Sequence, residues 1–214
     1  MNKNYGTNFT TEELEILNEK HFKFLDEIGA DYYDGFWIAG KPKFNLTDLT
    51  LKESGKPFSV NPFKGRFVFK KGAGILSTGD NPFPCSDSRL TLVRWGEEKN
   101  QCGYIETESE LNHTSIVSAL SVKIGKNVLF GPAVVIMDTD GHPADRRLPD
   151  VPENRKMAPV VIEDNAWIGW GATIMKGVTI GHHSVVAAQS LVVKDVPPHS
   201  VVAGNPGKII KTFE

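Results

Sequence analysis

The chain has 214 residues, 40% of them hydrophobic and 23% charged, a composition that suits a folded globular protein and excludes a disordered or collagenous one. A formal net charge of −2 gives no global attraction for nucleic acid, and no apolar run approaches the roughly 20 residues that span a bilayer. Met1 to Thr11 is polar and lacks the apolar stretch of a secretory signal, so a cytoplasmic location is expected.

The first element in chain order is a helix. Thr10 and Glu13 have the spacing of a capping box, and Leu14, Leu17, Phe24, Leu25 and Ile28 follow as an apolar stripe. Gly29 offers the stop. From Phe36 to Val122 short β-rich runs (Arg66–Phe69, Leu90–Trp95, Ser115–Ala119) alternate with clusters of Gly, Pro, Asn and Asp. Cys85 and Cys102 have neither CxxC nor metal-ligand spacing and are expected to be reduced, half-buried thiols.

The strongest signal is a repeat. Aliphatic residues recur at every sixth position through Ile162, Ile168, Ile174, Ile180, Val186 and Val192, and Ile124, Phe130 and Ile136 keep the same spacing. Gly follows the repeated residue at positions 125, 131, 169 and 181. Four places after the aliphatics come Ala166, Ala172, Val178, Ser184 and Ser190, mostly small. A period of six matches neither an α-helix nor an amphipathic strand. It matches a solenoid with flat faces of short strands, three to a coil, in which the aliphatics point inward and the small residues turn the corners.

Residues 138–158 break the period with a charged, Pro-rich segment that predicts a loop thrown out from the coils, of a length that is often functional. The expected organisation is an N-terminal cap with one helix over 1–65 and the solenoid, loop included, over 66–214. A cap is needed because the open end of a solenoid exposes its core.

Four segments carry a resemblance to a known family: IGKNVLFGPAVVI, DGHP, VVIEDNAWIGWGATIMKGVTIG and KDVPPHSVVAGNPGKIIK. Between Lys123 and Lys211 the chain resembles the hexapeptide-repeat acetyltransferases, especially those acting on galactosides, maltose and bacterial surface polysaccharides. The resemblance implies an all-β solenoid, a left-handed parallel β-helix, with acetyl-CoA as co-substrate and a homotrimer whose active sites lie between neighbouring prisms. It implies O-acetylation of a sugar or polysaccharide hydroxyl, with N-acetylation of an amino sugar or nucleotide-sugar as the alternative. The first hundred or so residues match no pattern of that family.

Acyl transfer from a thioester needs a base for the acceptor's proton and donors for the oxyanion. A histidine can hold a neutral imidazole at working pH, and the resemblance puts the base on His142 of the GHP motif. Asp138, Asp140, Glu163 or a backbone carbonyl could orient its ring. Relatives place an asparagine of the preceding coil at the acceptor; here Asn112 and His113 are the nearest equivalents, and a histidine there departs from the common pattern. With Asp140 they form the expected acceptor set. By the same resemblance Trp167 of AWIG lines the acetyl-CoA channel, facing outward because a six-residue coil has little room for an indole; Trp170 is less securely placed. Gly169 and Ala187 approach the pantetheine arm, and Lys194, Lys208 and Lys211 serve the phosphates of CoA.

Two readings compete. The γ-class carbonic anhydrases share the β-helix and use three histidines, for which His113, His142, His182 and His183 are candidates, but the GHHSVV repeat does not resemble their ligand pattern and no metal is expected to be required. A catalytically silent scaffold is the other, since fold alone does not prove activity.

Overall fold

The computed structural model describes residues 11–49, 58–77 and 87–214. The expected capping box at residues 10–13, the side chains of Leu14 and Leu17, and Cys85 lie outside the described residues. The fold is a left-handed parallel β-helix of three faces.

The first face stacks Asp31–Tyr32, Phe67–Phe69, Ile105–Glu108, Val122–Lys126, Val160–Ile162 and Thr179–Ile180. The second runs through Trp37–Gly40, Gly74–Ser77 and Glu110–Asn112, then Leu129–Phe130, Trp167–Ile168, Val185–Val186 and Ser200–Gly204. The third stacks Lys43–Asp48, Arg89–Arg94, Ser115–Ser118, Val135–Met137, Thr173–Ile174 and Leu191–Val192. These strands pair parallel within each face, and Gly207–Thr212 folds back antiparallel on Ser200–Gly204 to close the stack.

The period of six sets this register. Ile162 pairs with Ile180, Ile168 with Val186 and Ile174 with Val192, each 18 positions on, so one coil is three repeats. All six side chains are buried, as are Ile124, Phe130 and Ile136. The small residues four places on (Ala166, Ala172, Ser184, Ser190) are equally buried, and so they fill the core rather than turn the corner. The corner belongs to the residue before them. Asn127, Ala133, Asn165, Gly171, Gly177, His183 and Gln189, each three after a core aliphatic, all have φ between 53° and 75°. Asn, His and Gly populate this left-handed region more readily than most residues. The recurrent glycine has a different cause, close approach of the next coil. A Cβ on Gly181 would lie 2.4 Å from the backbone nitrogen of Pro198, and one on Gly169 would lie 2.6 Å from that of Ala188.

Coiling begins earlier than the sequence pattern indicates. Asp31 pairs with Val68, Trp37 with Gly74 and Phe44 with Leu90, so strands within the expected 1–65 cap already form a coil. Long insertions between these strands hide the period, and phenylalanines replace the aliphatics: Phe63, Phe67 and Phe69 are fully buried. The helix Thr11–Glu27 covers this end with Leu25, joined by Ile28 just beyond its last residue, both fully buried. It stops where Gly29 turns left-handed (φ 56°) and the N–H groups of Gly29 and Ala30 bond the carbonyls of Asp26 and Leu25.

Candidate active site

The extruded loop leaves the corner between the third face, after Val135–Met137, and the first, before Val160–Ile162. Its stem is a short antiparallel clasp: the N–H of Asp140 bonds the carbonyl of Lys156 at 3.0 Å, and that of Ala158 bonds the carbonyl of Asp138 at 2.9 Å. The Asp138 side chain anchors the stem. It is fully buried and accepts from the Ser118 hydroxyl (2.7 Å) and the backbone N–H groups of Ala119 (2.7 Å) and Leu120 (2.9 Å). Burial pushes its carboxyl above the usual range against these bonds. Asp140 is half-buried and pairs with the Lys176 ammonium at 2.5 Å.

His142 stands on this stem with its side chain two-thirds exposed. Its Nδ1 lies 2.8 Å from Oδ2 of Asp150. The hydrogen bond from His142 is the main reason the Asp150 carboxyl sits below its ordinary range. Arg155 holds the carboxylate from the other side, with Nε 3.1 Å from Oδ1 and Nη2 3.2 Å from the Asp150 carbonyl oxygen. With Asp150 ionised, Nδ1 carries the proton and Nε2 keeps its lone pair, the tautomer a general base requires.

The orienting group is therefore Asp150, not one of Asp138, Asp140 or Glu163. Asp138 is committed to Ser118 and the backbone, Asp140 to Lys176, and Glu163 accepts from the His182 N–H at 2.8 Å. Asp150 and Arg155 were not singled out in the sequence. They lie eight and thirteen residues after His142 among other charged residues of the loop, where no period marks them.

Asn112 ends a strand of the second face, at the corner with the third. Its Nδ2 donates to the Phe130 carbonyl at 3.3 Å, and its Oδ1 lies 2.8 Å from Nδ1 of His113. Asn112 lines a groove of about 790 Å³ with Leu76, Glu110, Leu129 and Phe130. His113 is buried at the left-handed corner (φ 46°), where its ring orients Asn112. The hydrogen bonds of Asn112 run to Phe130 and His113, none to the loop that carries His142.

On the second face Trp167 points outward and is half exposed. It belongs to a row across the face: Leu129 pairs with Trp167, Trp167 with Val185, Val185 with Val201, and Val201 with Lys211. An exposed apolar stripe thus ends at a cation. Lys194 and Lys208 are also exposed, and Lys208 pairs opposite Ala203. Gly169 packs against the backbone of Val186–Ala188, which brings it beside Ala187. Trp170 is half-buried.

Residues 159–194 match the family model described as bacterial transferase hexapeptide (six repeats). Over these residues the chain carries the repeat of the hexapeptide transferases. It is 43% identical over 97 residues to the galactoside O-acetyltransferase of Escherichia coli, covering 45% of this chain and 47% of that protein. The Lactococcus lactis galactoside O-acetyltransferase is 42% identical over 94 residues, covering 43% and 44%. The matches span about half the length of these curated relatives. A maltose O-acetyltransferase from Clostridium difficile superposes with a TM-score of 0.52 at 22% identity, over 97% of this chain and 80% of that one. A Bacillus cereus N-acyltransferase solved with dTDP and coenzyme A superposes at 0.57 with 12% identity, over 92% and 89%. At these identities the superpositions establish the shared fold.

Proposed function

We propose that this hexapeptide-repeat protein is a cytoplasmic, acetyl-CoA-dependent O-acetyltransferase acting on a hydroxyl of a sugar or polysaccharide, such as a bacterial surface glycan. The observation that carries the reading is the His142–Asp150 pair, which leaves Nε2 of an exposed imidazole as a base. The identity to two galactoside O-acetyltransferases supports the acceptor class.

In the proposed reaction Nε2 of His142 takes the proton of the acceptor hydroxyl as its oxygen attacks the thioester carbon. The tetrahedral intermediate collapses, the carbon–sulfur bond breaks, and the imidazolium returns its proton to the CoA thiolate. Asp150 stabilises the imidazolium formed in between. The apolar row Leu129–Trp167 and the cations Lys194, Lys208 and Lys211 suit the pantetheine arm and phosphates of the donor, with Gly169 and Ala187 close to the arm. Asn112 and Asp140 would contact the acceptor, with His113 setting the orientation of Asn112.

Asn112 and the His142 loop leave different corners of one prism. A homotrimer, in which the loop of one copy meets the second face of the next, would complete the site. The test is an acetyl-CoA turnover screen against free sugars, nucleotide-sugars and capsule-type oligosaccharides, scored for hydroxylamine-labile ester. Turnover with a hydroxyl acceptor supports the reading; hydroxylamine-stable amide as the sole product would replace it with N-acetylation.

A further inference from the structure

Three histidines outside the loop have no part in the chemistry above. At the corner between the first and second faces, the left-handed positions of successive coils are held by Asn165, His183 and His199. The N–H of His183 bonds the carbonyl of Asp164 (3.1 Å), and that of His199 bonds the carbonyl of His182 (3.0 Å). Coil stacking therefore gathers three imidazoles at the surface. The rings of His183 and His199 lie 9° from parallel with centroids 5.1 Å apart, and His182 stands edge-on to them at 5.2 and 4.9 Å.

One ring nitrogen from each histidine lies within 4.8 Å of the other two, and the Nδ1 atoms of His182 and His183 are 3.0 Å apart. Two nitrogens at that distance need a proton or a cation between them, and three imidazolium ions so close would repel. The adjoining groove, about 540 Å³, is lined by Glu163 and Asp164 nearest the histidines, and by Glu106 and Glu108, which Lys70 and Lys126 pair, with Lys123.

We propose that His182, His183 and His199 form a site for one divalent transition ion of the class that prefers imidazole, Zn²⁺, Ni²⁺ or Cu²⁺. Nitrogens at about 2.0–2.1 Å around tetrahedral zinc lie roughly 3.3 Å from one another, so small side-chain rotations complete the site, with solvent in the remaining position. Oxygen-seeking Mg²⁺ and Ca²⁺ do not suit it. The ion would act as a staple. His182 and His183 belong to the last regular corner, while His199 opens the closing strand Ser200–Gly204 and its carbonyl accepts from the N–H of Phe213 at 2.7 Å. Bridging them ties the terminal hairpin to the coil beneath. His142 leaves from a different corner, so the staple stands apart from the proposed acyl transfer.

The experiment is calorimetric titration of the metal-stripped full chain with Zn²⁺ and with Ni²⁺, alongside thermal melting. The expected result is saturable binding of a single ion per chain, a rise in melting temperature with added ion, and no effect of Mg²⁺ or Ca²⁺. His183→Asn and His199→Asn keep residues that tolerate the left-handed corner, and circular dichroism checks that they fold. Each should weaken binding about tenfold or more, as loss of a single metal-site interaction does, and the double variant should abolish it. His142→Ala should bind the ion as the wild type does. Absence of stoichiometric binding, or a folded double variant that binds with wild-type affinity, would overturn the proposal.

Discussion

His142 and Asp150 meet at 2.8 Å through Nδ1 and Oδ2, across eight residues of a loop that leaves the β-helix. That contact decides which ring nitrogen is basic. His142→Ala should lower kcat by roughly 10²–10⁴-fold, the range for loss of a general base. The melting temperature should stay near wild type, because the side chain is exposed and packs on nothing the core needs. Acetyl-CoA affinity should hold as well. Single-turnover kinetics with calorimetry of acetyl-CoA binding separates these quantities, and a variant keeping more than about a tenth of wild-type turnover would rule His142 out as the base.

Asp150 titrates in a direction that can be followed. Its folded-state carboxyl is depressed, first by the His142 hydrogen bond and also by Arg155. A depressed carboxylate contributes order that is present above its unfolded value of about 3.9 and is lost as pH falls through the folded value. Proteolysis within 138–158 should therefore accelerate below about pH 4, before the coils unfold. In His142→Ala the Asp150 carboxyl should titrate at higher pH than in the wild type, toward the unfolded value. Carboxyl-carbon NMR reads this directly, and an unmoved Asp150 resonance would contradict the pairing.

Asp138 does different work at the loop's root. Replacing it by Ala leaves the N–H groups of Ala119 and Leu120 without their acceptor, while the Ser118 hydroxyl keeps the Tyr104 carbonyl at 3.0 Å. Orphaned groups of this kind cost about 1–3 kcal/mol each, so Asp138→Ala should destabilise the chain by roughly 2 kcal/mol or more. Denaturant unfolding measures it. A loss under about 1 kcal/mol would mean that solvent reaches these donors.

The core was legible in the sequence because each coil repeats one demand. Ile174 must fill the prism between Ile136 and Val192, with which it shares a face and a register. Ile174→Ala should cost roughly 2–5 kcal/mol through the cavity it leaves. Ile174→Asp should fail to fold, since a charge there has no partner. The corner was misread by one residue, because small side chains suggest turns; here Ala166 and Ala172 are small because they are packed, and Asn165 and Gly171 turn the chain by their backbone. His142 was found through its motif. Asp150 was not, since a loop that folds on its own side chains carries no period, and the first coil was hidden by the insertions between its aromatic strands.

Assembly gives the last prediction. Asn112 ends a strand at the corner between the second and third faces, and the His142 loop emerges between the third and the first. If a trimer joins the loop of one copy to the Asn112 groove of the next, each site draws its two residues from different chains. His142→Ala and Asn112→Ala should then each be nearly inactive alone yet recover when co-expressed. In a random mixture half the chains supply an intact His142 and half an intact Asn112. About one site in four then pairs the two intact residues, and turnover should return to about a quarter of wild type. Native mass spectrometry establishes that mixed trimers form, and the activity of that same sample is the readout. Mixed trimers as inactive as their parents would show that Asn112 and His142 serve from the same chain or that Asn112 has no part in the site. A fully active monomer by light scattering would remove the shared site altogether.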